Sequence, residues 1–398
     1  MDAVTNLSEL TTLRVGGPAA RLETATDPAE LARLAGRAWA DGEPLLVVGG
    51  GSNLLVGDDG FDGTVLRIAT RGIERATGAA EGRVRVRVQA GESWDGLVAW
   101  AVEQGLSGIE ALSGIPGLAG GAPVQNIGAY GQELSESLVA IDFLAEGADA
   151  PVRMSAAELE LGYRTSVLKQ GLAGIVVSIE LELHDTAAER EVLGDALGQP
   201  IAYAQLANAL GVQLGDRVPL ARVRESVLGL RRSKGMVLDA ADPDTASAGS
   251  FFTNPIVTER FARTLPADAP RWVLAEETPD EIVPLDAADA ADASPLDEFL
   301  AFQRDAEESA APPAGEEPAE TLVKLSAAWL IEQSGIHRGF ALPASRAGVS
   351  SKHTLSITNR GGATAAEIAE LARFVQNRVH AEFGVVLHPE PVLVGVSL

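Results

Sequence analysis

No cysteine occurs among the 398 residues, which removes disulfides, thiolate metal sites, thiol redox chemistry and cysteine nucleophiles together and suits a reducing compartment. Positive charge is scarce. Lys and Arg number 31 against 56 Asp and Glu, a net charge of −25, so no nucleic-acid partner and no acidic-membrane surface is expected. One basic pocket for a phosphorylated small molecule stays compatible with that balance. The opening MDAVTNLSELTTLRVGG lacks a basic segment followed by an apolar run, so no signal peptide is read and the mature chain is expected to begin at or near Met1. Long apolar runs are missing too. The uncharged stretch 111–132 is broken by Gly114, Gly117, Gly120, Gly121, Gly128, Gly131, Pro116 and Pro123, as no spanning helix would be, so no membrane insertion is expected. The five histidines show no HExxH or similar ligand spacing, and without cysteine no metal site is expected.

Helix and strand patterns alternate without a fixed-length repeat, which points to an α+β protein of two or three domains. Asp27-Pro28, Glu30 in the first turn, apolar Leu31, Leu34 and Ala35 and a stop at Gly42 predict an amphipathic helix. Short buried strands are read at 45–48, 54–56 and 64–68. Val84, Val86 and Val88 alternate with Arg85, Arg87 and Gln89, the period of a half-solvated strand, ahead of a helix from about 94 to 104. Strands follow at 138–144 and 174–183, then a mostly helical stretch over 185–230 with Tyr203 beside a loop. Residues 279–321, rich in Ala, Asp, Glu and Pro, read as an acidic solvated insertion without a catalytic role. Thr364 and Glu367 fit a capping box before a helix ending at Gly384, and a last strand is read at 392–396.

Two glycine-rich segments carry the chemistry. Gly49-Gly50-Gly51-Ser52-Asn53 follows a buried strand, so backbone N–H groups there can approach a pyrophosphate without side-chain obstruction. It is not the GxGxxG that opens a helix, because Leu54-Leu55-Val56 continues as a strand, and no Gly-Lys-Ser/Thr makes it a P-loop. A tight strand-to-strand turn is the plain alternative. The second segment, 113–131, adds amide side chains suited to the edge of a heterocycle. Two such loops suggest an extended, dinucleotide-sized ligand.

These residues resemble the UDP-N-acetylenolpyruvoylglucosamine reductases, flavoenzymes of bacterial peptidoglycan precursor synthesis. The resemblance rests on TTLRVGG at 11–17, GGGSNLLV at 49–56, GIEALSGIPGLAGGAPVQNIGAYGQEL at 108–134, GYRTSVLK at 162–169, AGSFFTNP at 248–255, KLSAAWLIEQSG at 324–335 and HPEP at 388–391. It implies a two-subdomain FAD-binding fold of the vanillyl-alcohol-oxidase type plus a C-terminal α+β substrate-binding subdomain. The expected boundaries are 1–70 with the strand 391–398, then 71–237, then 238–390 including the acidic insertion. It implies non-covalent FAD, since no Cys exists and neither glycine loop holds a His, with NADPH as reductant. FAD contacts are expected from Gly49, Gly50, Gly51, Ser52, Asn53 and Leu54, and from Ser113, Gly114, Ile115, Pro116, Gly117, Gly120, Gly121, Ala122, Gln125, Ile127 and Gly128.

Carried over position by position, the family's catalytic arginine, serine and glutamate fall on Arg164, Ser250 and Glu390. Hydride delivery to an enolpyruvyl double bond leaves negative charge that a fixed guanidinium can hold. Protonation of the adjacent carbon needs a positioned acid, for which a serine hydroxyl requires help from its surroundings. Substrate contacts are expected from Tyr163, Lys234, Asn254 and Gln333, and from Tyr203 as the mobile-loop tyrosine of the subgroup that has one. Thr253 stands where many relatives carry Lys, and Pro391, Val392 and Leu393 follow Glu390 where a basic residue is frequent. The partner implied is a UDP-sugar substrate, on a cytoplasmic monomer. Two competing readings keep the fold: an oxidase of an alcohol or sugar using oxygen, and a sugar-nucleotide-binding regulator that has lost the reaction.

Overall fold

The structure is a computed structural model that describes residues 5–274 and 321–398. Nearly all of the acidic insertion, 279–320, lies outside the described residues. Contacts divide the chain into two compact units, 1–253 with 331–398, and 254–330.

In the larger unit, the strands Ala19–Ala25, Phe61–Ile68 and Leu45–Val48 form a parallel sheet with Phe61–Ile68 at its centre. Parallel neighbours need a crossover. The helix Pro28–Ala40 carries the chain from Ala19–Ala25 across to the opposite edge strand Leu45–Val48, with Asp27 accepting from the Glu30 N–H, Pro28 in the first turn, and Leu31, Leu34, Ala35 and Ala38 buried. The central strand starts at Phe61, earlier than the apolar run suggests. Gly63 permits this, because a Cβ there would stand 2.3 Å from the Pro44 carbonyl oxygen.

An antiparallel sheet follows, in the order Val152–Ser155, Leu138–Ala145, Gly174–Asp185, Arg83–Gln89, Ile73–Ala76, with Leu106–Ser107 also on the Gly174–Asp185 strand. The strand Gly174–Asp185 is buried along most of its length. The Val/Arg alternation sends Val86 and Val88 into the core, whereas Arg85 crosses to Glu182 at 2.9 Å. Leu144, Ile175 and Val177 meet Leu31, Leu34 and Ala35, so the two sheets share a hydrophobic cluster. The stretch 185–230 holds three helices, Ala187–Leu193, Ala204–Leu210 and Leu220–Ser233.

The helix Ala365–Phe383 has the full capping box of Thr364 and Glu367 and ends at Gly384 in the left-handed region. The last strand is Val392–Val394, shorter than 392–396, because Gly395 at φ +65° turns the chain. It pairs in parallel with Leu54–Val56. The smaller unit holds an antiparallel sheet in the order Ile256–Thr258, Leu322–Leu325, Arg271–Val273. Among the described residues no helix is long and apolar enough to cross a membrane.

Candidate active site

A cavity of about 390 Å³ opens inside the larger unit, lined by both glycine segments. They touch there: a Cβ on Gly50 would stand 2.8 Å from Gly117 Cα, and the Ser52 hydroxyl donates to the Pro116 carbonyl at 3.2 Å. Gly51 needs its φ of +58°, and a Cβ would lie 1.8 Å from the Leu10 carbonyl oxygen. The segment 49–53 is no hairpin turn, because the strands on either side of it belong to different sheets. It crosses between them.

Of the residues expected at FAD, Gly49 to Leu54, Ile115, Pro116, Gly117, Gly121, Ala122, Gln125, Ile127 and Gly128 line the cavity. Ser113, Gly114 and Gly120 do not; they shape the loop from behind. Ser113 Oγ donates to the Glu110 carbonyl at 2.7 Å, the Gly114 N–H donates to Asp95 at 2.6 Å, and a Cβ on Gly120 would meet Ala90 Cβ at 2.6 Å.

Arg164, Ser250 and Glu390 all line the same cavity. Arg164 sits in a tight turn in which Gly162 and Thr165 exchange backbone hydrogen bonds, at φ +55°, a conformation costing about 1–2 kcal/mol outside glycine. Its guanidinium compensates by donating to the Gly128 carbonyl at 2.9 Å and facing Glu390 Oε1 across 3.5 Å. Ser250 and Glu390 come together because 251–253 and 388–390 run side by side: the Glu390 N–H donates to the Phe251 carbonyl at 2.9 Å and the Thr253 N–H to that of His388 at 3.1 Å. Phe251 and Phe252 are buried edge to face beneath them.

Burial pushes the Glu390 carboxyl above its ordinary value, and Arg164 and Lys169 pull it partly back. Gln125 Nε2 donates to Glu390 Oε1 at 3.2 Å, and Asn53 Nδ2 donates to the Glu390 carbonyl at 3.2 Å. The cavity thus gathers a guanidinium, a hydroxyl and a carboxyl biased toward its neutral form. Such a set can hold developing negative charge and move a proton.

The donor set fits a flavin dinucleotide. Glycine backbone lies open on one side, Leu54, Ile115, Ile127 and Val392 give apolar wall, and Asn53 and Gln125 give amides. Arg231, buried and lining the cavity, has an Nε with no hydrogen-bond partner among the described residues. An unpaired buried donor of this kind is costly unless a ligand meets it. Sequence reasoning missed Arg231, Trp94, Met236 and Val392 in the lining. The signal for Arg231 was its place in RRSK, three positions before Lys234.

The expected substrate residues are not in the lining. Burial, then Arg231, lowers the proton affinity of Lys234 Nζ, which donates to Gln205 Oε1 at 3.0 Å while lying 5.4 Å over the Tyr130 ring. Tyr203, just before the helix Ala204–Leu210, meets Tyr130 edge-on at 5.9 Å. Burial, with Lys234 near, lowers His353 to about 4, so it is neutral at pH 7. Tyr163 stacks under the Arg164 guanidinium at 5.9 Å. In the smaller unit, Asn254 Oδ1 accepts from the Ala327 N–H at 3.0 Å and starts the helix Ala327–Gln333. Gln333 is exposed at that helix's end.

Residues 242–394 match the family described as "UDP-N-acetylenolpyruvoylglucosamine reductase, C-terminal domain", and residues 19–147 match "FAD binding domain". A UDP-N-acetylenolpyruvoylglucosamine reductase of Leifsonia xyli subsp. xyli is 56% identical over 392 residues, spanning 98% of each chain. The chain belongs to the UDP-N-acetylenolpyruvoylglucosamine reductase family. A member from Saccharopolyspora erythraea is 46% identical over 98% of this chain and 95% of its own length. The crystal structure of the UDP-N-acetylenolpyruvylglucosamine reductase of Thermus caldophilus aligns over 98% of both chains, with a TM-score of 0.58 at 26% identity. The expected α+β architecture with an FAD-binding domain is therefore this family's.

Proposed function

We propose that the protein is an NADPH-dependent FAD enzyme that reduces the enolpyruvyl group of UDP-N-acetylglucosamine enolpyruvate to UDP-N-acetylmuramate. The observation that carries this is one cavity lined by Arg164, Ser250 and Glu390 together with the two glycine segments. FAD, when bound, supplies the hydride. Gly49 to Ser52 would hold its pyrophosphate by backbone N–H groups, and Arg231 Nε, without a partner among the described residues, would be a further donor. Arg164 holds the negative charge that gathers on the enolpyruvyl carboxylate and adjacent carbon, from a side chain already oriented by Gly128 and Glu390. Ser250 gives that carbon a proton from Oγ, and Glu390, kept toward its neutral form by burial, shares a proton with the enol. Lys234, Tyr163, Asn254 and Gln333 bind the diphosphate and sugar, and Tyr203 stacks on the uracil. In this scheme 1–70 with 391–398 and 71–237 hold the cofactor, and 238–390 covers the substrate. The enzyme works in the cytoplasm as a monomer.

The test is the visible spectrum of the purified protein without oxygen, before and after NADPH and again after the enolpyruvyl substrate. The flavin bleaches with NADPH and recovers its oxidised spectrum only when that substrate arrives. Recovery with oxygen alone makes the protein an oxidase. Failure to bind flavin on reconstitution leaves a sugar-nucleotide-binding regulator.

A further inference from the structure

Lys169 ends the GYRTSVLK segment and reaches two acceptors: Gln125 Oε1 at 3.1 Å and the Glu390 carbonyl at 3.0 Å. Asn53 Nδ2 donates to the same two atoms, at 3.3 and 3.2 Å. The two donors therefore pin one side-chain amide and one backbone carbonyl as a pair. An ammonium has three donors and no acceptor, so the amide atom of Gln125 facing Lys169 has to be oxygen. That turns Nε2 toward Glu390 Oε1, where it lies at 3.2 Å, and Arg164 Nε faces the same oxygen at 3.5 Å. With one amide donor and the edge of a guanidinium facing Oε1, a proton on the carboxyl is better placed on Oε2.

We propose that Lys169 is a positioning residue that, together with Asn53, fixes the amide orientation of Gln125 and thereby directs the proton of the Glu390 carboxyl to Oε2. This rests on the reading above in that Glu390 takes part in the reaction. Were the Gln125 amide reversed, its Nε2 would oppose the ammonium, and its oxygen would invite the Glu390 proton onto Oε1. A carboxyl holding its proton between a glutamine and an arginine could not pass it onward. Lys169 also acts through charge. Among the described residues, the charged side chains that act on the Glu390 carboxyl are Arg164 and Lys169, both of which favour its ionised form.

The Gln125→Leu background separates the two effects. In the FAD-loaded full chain carrying glutamate labelled with ¹³C at the carboxyl, the Glu390 resonance is identified by its loss in Glu390→Gln and titrated from about pH 4 to about pH 9. Lys169→Met is expected to raise its midpoint by about one unit, and Lys169→Arg, which also offers only donors, to restore it to within about 0.3. Lys169→Gln, which presents donor or acceptor equally, is the second variant, and its midpoint stays raised. In a Gln125→Leu background the Lys169→Met shift falls below about half its size, because the relay is gone. An unmoved midpoint in Lys169→Met, or shifts from Lys169→Met and Gln125→Leu that simply add, overturns the proposal. With the enolpyruvyl substrate, Lys169→Met slows flavin reoxidation about tenfold and leaves reduction by NADPH within about twofold. The titration needs no turnover. A wild-type chain that binds FAD and is not reoxidised by that substrate sinks the proposed reaction and leaves the relay to be judged by the midpoints alone.

Discussion

The cavity wall around Glu390 and the cluster around Tyr203 are built in opposite ways. In the wall, Arg164, Gln125, Asn53 and Lys169 hydrogen-bond or face Glu390 and one another, so each side chain's position depends on the next. Around Tyr203 the contacts are ring edges and a cation over a ring, and Tyr203 itself is 46% exposed. Groups that must meet charge at the instant it forms gain from being fixed beforehand, whereas groups that grip an arriving ligand need a face left open. Backbone strain accompanies both, at Arg164 (φ +55°) in the wall and at Tyr130 (φ +51°) in the cluster; the difference is that the cluster leaves Tyr203 accessible.

The sharpest way to break this comparison is to remove the fixed charge. Arg164→Met is expected to slow substrate-dependent flavin reoxidation about 100- to 1000-fold, read by anaerobic stopped flow, while NADPH still bleaches the flavin. An equal loss in both half-reactions would make Arg164 a structural element of the flavin site instead. Next in size, Gly50→Ala forces apart two backbones that now leave only 2.8 Å for a Cβ. FAD affinity should fall about tenfold or more, measured by the return of free-flavin fluorescence on dilution.

Tyr203→Ala probes the open side. A stacking residue on an exposed face should raise KM for the UDP-sugar about tenfold with kcat nearly unchanged; a fall in kcat of the same size would place Tyr203 in the fixed class. The smallest effect concerns stability. Burial raises the Glu390 carboxyl above its ordinary 4.5, so between that value and the raised one the folded chain keeps a proton the unfolded chain has lost. Stability contributed by this group is full below the ordinary value and falls as pH rises through the interval. Glu390→Gln does not titrate, so paired thermal melts should show its Tm overtaking wild type as pH rises from about 4 to about 8, in an enzyme that has lost activity.

Local chemistry made much of the fold legible. Asp27-Pro28 and Thr364 with Glu367 announce their helices by satisfying N–H groups that every helix leaves free. Val84, Val86 and Val88 announce a strand by alternation. The partner of Leu54–Val56 could not be read this way, because Val392–Val394 carries the same apolar signature as any short strand and pairing across such a separation leaves no local mark. Within the candidate site, the glycine segments stood out by composition. Lys169 did not, since its role comes from two acceptors contributed by distant parts of the chain. Asn254 shows the reverse: a residue singled out by its motif turns out to have its side-chain oxygen committed to a helix start.

The pairing of Val392–Val394 with Leu54–Val56, and the hydrogen bond from Asn53 to Glu390 across 337 positions, set a condition on biosynthesis. While a ribosome is still adding residues before Glu390, the first glycine segment has neither its neighbouring strand nor the carboxyl that completes the wall. A nascent chain can assemble its helices and the antiparallel sheet early, yet the cavity closes only after the last contacts arrive, a slow step for so long a loop. The complete lining of the cavity, with Glu390 and Val392 in it, exists only once these late residues have joined the rest.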